Sequence, residues 1–261
     1  GNENKVINNL IYKLNSGTGT IYGLYNSSSN GVFYYHNTVA LQNTASTAGI
    51  TRGFYQITLA SNIEVKNNII YITRGGTDAK NCLYFGTTTS SIISNNNLLF
   101  INSAAGTNGI GFYSTNQVSL ANWQAVNGAI YDQQSISVDP LFIDPNAGDF
   151  TPDNFLSDNK GVPVGVTYDL LNVSRSLSTP DVGCYEFSIP LGDDISTFAL
   201  VSPVANQCFS NAETVTVRIK NVGTNVLNFG TTPVAVSCQI TGPINTTLTG
   251  SASGTLGING V

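Results

Sequence analysis

Two short signatures recur along the first half of the chain at one spacing, and that spacing limits what the chain can become. The first is a small residue followed by an aromatic pair or its equivalent: GLY at 23–25, GFY at 53–55, CLY at 82–84 and GFY at 111–113. It sets Tyr25, Tyr55, Tyr84 and Tyr113 at steps of 30, 29 and 29 residues. The second is led by asparagine: NNLIY at 8–12, HNTVA at 36–40, NNIIY at 67–71 and NNLLF at 96–100. Its second position, Asn9, Asn37, Asn68 and Asn97, advances by 28, 31 and 29 residues. Two markers that share a period of about 29 residues predict a solenoid, whose units bury a face only by stacking on one another.

The unit is built of strands. NIEVK alternates, with Ile63 and Val65 to one side and Glu64 and Lys66 to the other. Val39 and Leu41, Ile70 and Ile72, and Leu99 and Ile101 keep that alternation after each asparagine. Short strands joined by Asn, Gly and Ser turns, one coil per period, describe a parallel β-helix. Equivalent residues of successive coils then lie about 4.8 Å apart, so Asn9, Asn37, Asn68 and Asn97 are expected to hydrogen-bond as an amide ladder. Asparagine also tolerates the left-handed backbone of a sharp bend. The phase of the Tyr25, Tyr55, Tyr84 and Tyr113 row stays ambiguous, since YQITL reads with its tyrosine in or out.

Only 10% of the 261 residues are charged and the net charge is −5, which gives no reason to expect nucleic acid or an anionic membrane as partner. No apolar run approaches the length of a bilayer span, so no direct membrane insertion is expected. Both ends read as the interior of a repeating pattern, so further chain is expected on either side. No secretory signal opens the chain.

From about residue 119 the repeat gives way to SLANWQAVNGAIYDQQSISVDPLFIDPNAGDFTPD and then DVGCYEF, ending at 187. Ser119 is a good N-cap for LANWQAV, and a solenoid needs a cap over its last coil. Trp123 is assigned to packing in that cap, with an exposed sugar platform as the alternative. On these motifs residues 1–187 resemble the right-handed parallel β-helix proteins of the pectin-lyase-like superfamily. The resemblance implies a secreted bacterial protein and raises the question of polysaccharide cleavage.

After a linker at 188–193 the pattern changes. ETVTVRIKNVG places Val215, Val217 and Ile219 on one face, and PVAVSCQI does so with Val234, Val236, Cys238 and Ile240, which predicts a β-sandwich over 194–261. The sandwich is expected to continue past Val261. ALVSPVANQCFSNAETVTVRIKNVGTNVL resembles the immunoglobulin-like, CARDB-type modules of Bacteroidota surface and secreted proteins, which implies export by the type IX route. Cys208 and Cys238 are candidates for a disulfide in such an exported module. Cys82, in the place of a repeat glycine, and Cys184 read as packing thiols.

A lyase needs a base beside cations or Ca²⁺, and a glycoside hydrolase needs two facing carboxylates. His36 falls inside the asparagine signature and reads as a turn residue. Arg74 and Lys80 flank a Gly-rich loop and read as solvated. Asp139, Asp144, Asp149 and Asp153 read as turn residues of the closing motif, with a Ca²⁺ site as the alternative. No catalytic residue is assigned. Alternation turns Tyr12, Ala40, Tyr71 and Phe100 away from the core, either as an exposed strip for sugar rings or as a strip covered by the longer loops. The expected function is a non-catalytic fragment of a large exported cell-surface protein, adhesin-like or a spacer. Its expected partners are glycans or a secretion or anchoring machinery, and no cofactor is expected. The alternative is the C-terminal part of a secreted polysaccharide lyase or glycoside hydrolase with an accessory immunoglobulin-like domain.

Overall fold

The computed structural model describes residues 3–189, 192–204, 212–242, 245–258 and 260–261. The chain divides into two compact units, Gly1–Ile189 and Pro190–Val261.

The first unit is a β-solenoid of about four turns, each with three short strands. The first coil holds β1 (Asn4–Ile7), β2 (Leu10–Ile11) and β3 (Ile21–Asn26), the second β4 (Val32–Tyr35), β5 (Thr38–Leu41) and β6 (Thr51–Gln56). The third holds β7 (Ile63–Lys66), β8 (Ile69–Ile72) and β9 (Lys80–Phe85), the fourth β10 (Ile92–Asn95), β11 (Leu98–Ile101) and β12 (Asn108–Tyr113). Equivalent strands pair in parallel into three sheets, β1-β4-β7-β10, β2-β5-β8-β11 and β3-β6-β9-β12. β13 (Thr115–Gln117) then folds back antiparallel on β12, and α1 (Leu120–Ala125) crosses the end of the stack. The core is the interior of the coils, where Val39, Ile63, Val65, Ile70, Ile72 and Leu99 are all buried as their alternation requires.

One corner explains the asparagine signature. Its first residue, Asn8, His36, Asn67 or Asn96, has φ of 53–58° and makes the bend from the first sheet to the second. Its second residue points inward and joins a continuous ladder. Asn9 Nδ2 donates to Asn37 Oδ1 at 2.8 Å, Asn37 Nδ2 to Asn68 Oδ1 at 2.9 Å, and Asn68 Nδ2 to Asn97 Oδ1 at 3.1 Å. The ladder ends on the fully buried Asp132, whose carboxylate accepts from Asn97 Nδ2, Ser94 Oγ, Ser135 Oγ and the indole N–H of Trp123. Trp123 is fully buried in the cap, and Ser119 Oγ accepts from the Asn122 amide at the start of α1.

The glycine signature has a steric origin. A side chain at Gly53 would overlap Ile70 Cγ2 and lie 2.7 Å from the Cys82 carbonyl oxygen, because the third sheet passes closely over the second there. Gly111 has no room for a Cβ beside the Trp123 ring.

Beyond the cap the chain returns along the outside of the second sheet. The outer corner residues hold it: Asn96 Nδ2 donates to Lys160 O, Asn67 pairs with Val162 through both its amide atoms, and Asn8 Nδ2 donates to Tyr168 O. His36 is a turn residue in backbone and also a clasp, wholly buried against this returning chain. Its Nδ1 donates to the Asp181 carbonyl at 3.0 Å and its Nε2 accepts from Asn67 Nδ2 at 2.9 Å, which fixes a neutral ring. Burial, with the Arg175 charge, lowers its pKa to about 3.

The second unit contains small antiparallel sheets: β14 (Ile195–Ser202) with β15 (Thr216–Asn221), β16 (Leu227–Asn228) with β19 (Thr255–Leu256), and β17 (Ala235–Ile240) with β18 (Thr246–Ser251). Val215, Val217, Ile219, Val236, Cys238 and Leu248 line one open cleft of about 660 Å³ together with Thr216, Thr249, Ser251 and Thr255. Val234 and Ile240 do not line it: Val234 lies beside Leu227 and Thr232, and Ile240 is 38% exposed. The candidate disulfide involves Cys208, which lies outside the described residues.

Candidate functional site

The outer face of the third sheet carries the most distinctive surface chemistry of the solenoid. In β3, β6 and β9 the register runs Tyr22–Arg52–Asn81, skips the Gly23–Gly53–Cys82 position, and resumes at Leu24–Phe54–Leu83 and Tyr25–Tyr55–Tyr84. The skip turns residues on both sides of the inward Leu24, Phe54 and Leu83 toward the outside. The ambiguous tyrosine row is therefore an outer row. Its fourth member is Phe112, paired with Tyr84, while Tyr113 pairs with Phe85; the triplet alignment was one residue out of step at the last coil.

The rings stand against one another along the stack. Centroid separations are 5.2 Å for Tyr25–Tyr55, 5.2 Å for Tyr55–Tyr84 and 4.3 Å for the stacked Tyr84–Phe112 pair. Tyr22 joins from the neighbouring row, 4.6 Å from Tyr55. The Arg52 guanidinium lies 3.5 Å from the Tyr84 ring centre and 4.3 Å from that of Tyr55. Such contacts are worth about 0.5–2 kcal/mol each, rising with desolvation. β3, β6, β9 and β12 contain no Asp or Glu, and among the described residues no carboxylate lies within ion-pair distance of Arg52. Tyr22 and Tyr25 are 36% and 51% exposed, whereas Tyr55 is 6% exposed beneath them. The site thus presents two open rings, phenol hydroxyls and a ring-stacked guanidinium without a carboxylate partner among the described residues: a contact surface for a polar ligand with apolar faces.

Tyr12, Tyr71 and Phe100 form the other aromatic strip, and the returning chain covers it. Tyr71 stacks on Phe100 at 5.3 Å and meets Phe142 edge-on, while Tyr12 packs on Phe150. Ala40 in the same strip is wholly buried against Phe150, Cys184 and Tyr185. The cover is the segment after the cap rather than the loops within each coil.

Asp139, Asp144 and Asp149 each accept a nearby backbone N–H, from Leu141, Ala147 and Thr151. Among the described residues no three His, Cys, Asp or Glu side chains converge in a way that would hold a metal ion.

Arg74 and Lys80 are fully buried, contrary to their reading as solvated residues. Arg74 donates to the carbonyls of Ser16, Gly19, Ala48 and Gly49 and to Thr51 Oγ1, joining three coils. Lys80 Nζ donates to the carbonyls of Gly76, Asp78 and Ala105. Burial lowers the pKa of both, and Asp78 opposes it. They brace loops and do not face a ligand.

The chain matches no known family model, no curated protein and no solved structure.

Proposed function

We propose that this chain is a non-catalytic part of a large exported bacterial cell-surface protein, adhesin-like or a spacer, that contacts glycans through the outer face of the third sheet. In this reading the solenoid is a right-handed β-helix of the pectin-lyase-like kind. The second unit is an immunoglobulin-like module of a Bacteroidota protein exported by the type IX route. The observation that carries glycan contact is the open pair Tyr22 and Tyr25 beside the Arg52 guanidinium, which has no carboxylate partner among the described residues. Sugars offer C–H faces to aromatic rings and hydroxyls to guanidinium and phenol groups, so this combination suits them. The motifs at 119–153 and 181–187 support export.

The test is binding of the whole chain to a panel of soluble polysaccharides by calorimetry, beside the double variant Tyr22→Ala/Tyr25→Ala. Binding to at least one polymer, weakened about tenfold or more in the variant, is expected from the loss of roughly 1.4 kcal/mol or more of ring contact. No binding anywhere in the panel overturns glycan contact. Release of shortened or unsaturated sugar products overturns the non-catalytic assignment.

A further inference from the structure

The chain holds four Asn-Gly pairs, at 30, 108, 127 and 259, the last outside the described residues. Asparagine before glycine is the setting in which a backbone amide can attack the preceding side chain, because glycine has no Cβ to obstruct the approach. Two of the three described pairs are locked. Gly31 N–H donates to Ser61 O and Asn30 Oδ1 accepts from Ser61 N. Asn108 and Gly109 lie within β12, and Asn108 Nδ2 donates to Ser103 O.

The pair at 127–128 differs in its glycine N–H and in its backbone. It sits in the exposed turn after α1, and Gly128 N–H donates to no group among the described residues. Asn127, Gly128 and Ala129 have φ of 52°, 74° and 61°, three left-handed residues in succession. For alanine that conformation costs roughly 1–2 kcal/mol. The amide of Asn127 is held between two phenols: Tyr113 donates its hydroxyl to Oδ1 at 2.9 Å, and Nδ2 lies 3.0 Å from the Tyr131 oxygen. Burial raises the pKa of Tyr131.

We propose that Asn127 is a self-modification site, at which the fold promotes conversion of the amide to a succinimide and then to aspartate or isoaspartate. The Gly128 nitrogen forms a bond to Asn127 Cγ, and the electron pair of the amide C=O moves onto Oδ1, where the Tyr113 hydroxyl stabilises it. The Cγ–Nδ2 bond then breaks, and Nδ2 leaves as ammonia with the proton that Gly128 gives up. Water opens the ring at either carbonyl. The product places a carboxylate at the C-terminal end of α1, where the helix dipole disfavours it, between the phenols that fasten the cap.

The test is a time course on the full chain at neutral pH, with peptide mapping by mass spectrometry of all three described sites. A parallel sample is held unfolded in urea. Asn127 is expected to convert about tenfold faster than Asn30 and Asn108, whose glycines sit in backbone pairing that must first open at a cost of about 1–1.5 kcal/mol. It is also expected to convert faster in the folded chain than in urea. Equal rates at the three sites, or slower conversion folded than unfolded, overturn the proposal. Tyr113→Phe is expected to slow Asn127 about tenfold with Trp123 emission unchanged, less than the roughly hundredfold or more that a preorganised enzyme donor contributes. An unchanged Asn127 rate in that variant, with the emission also unchanged, removes the assisted mechanism.

Discussion

Replacing Asn68 by leucine isolates what the amide ladder contributes. The two side chains are close in size, so the change is chiefly one of polarity. Asn68 Oδ1 accepts from both the backbone N–H and the side-chain amide of Asn37, and its Nδ2 donates to Tyr34 O, Lys66 O and Asn97 Oδ1. Some partners keep another bond in Asn68→Leu: Asn97 Oδ1 still accepts from the residue 68 amide, and Lys66 O still accepts from His36 N. The Asn37 N–H and one Asn37 amide proton do not, and both are buried. At about 1–3 kcal/mol for each stranded donor, the loss is about 4 kcal/mol. Asn9→Leu is the control. Its side chain donates to Asn37 Oδ1 and Ile7 O at the solvent-facing end of the ladder, so about 1 kcal/mol is expected. The assay is urea unfolding followed by tryptophan emission. The chain has one tryptophan, and Trp123 is buried in the solenoid cap, so the signal reports the first unit. A melting shift of about 10 °C for Asn68→Leu would accompany the larger loss. Equal costs at positions 9 and 68, or a cost at 68 below about 1 kcal/mol, would refute the ladder as a source of stability.

Three further outcomes are expected. Asp132→Asn leaves one oxygen for four donors and should cost about 3 kcal/mol, with Trp123 emission altered as its indole loses a full carboxylate partner. Arg74→Met strands carbonyls from two other coils in a closed interior and should cost about 3–4 kcal/mol by the same urea measurement. His36 titrates near 6.5 when unfolded but at about 3 when folded, so below pH 6.5 the unfolded chain takes up the proton first and stability falls on acidification. At roughly 1.4 kcal/mol per pH unit, the native chain should lose about 2.5 kcal/mol relative to His36→Asn between pH 6.5 and 4.5. Asp181, raised to about 7 by burial, contributes the opposite slope, with stability lost as pH rises through about 7. That contribution is common to both proteins and cancels in the comparison.

The solenoid was legible because its determinants repeat: a bend that favours asparagine and an inward amide that pairs with its own kind both leave marks in register. His36 shows why position mattered more than residue type, since it occupies a bend held elsewhere by Asn8, Asn67 and Asn96. The placing of Arg74 and Lys80 left no such mark. Their partners are almost all backbone carbonyls, which every residue carries, some contributed by coils up to 58 positions away. The outer aromatic row was half legible. Its tyrosines were found by spacing, but the skipped glycine position broke strict alternation and hid both their outward direction and the substitution of Phe112 for Tyr113. The cover over Tyr12, Tyr71 and Phe100 depends on where a strandless segment returns, and no local pattern encodes that path.

That returning segment changes how the solenoid would come apart. A stack of coils joined only to its neighbours can shed its outermost turn while the rest stays intact. Here Asn8, His36, Asn67 and Asn96, one from each coil, all grip the same stretch of chain between Lys160 and Asp181. Tension applied at either end of the stack is shared across four turns at once, and no turn can peel off without first tearing this seam.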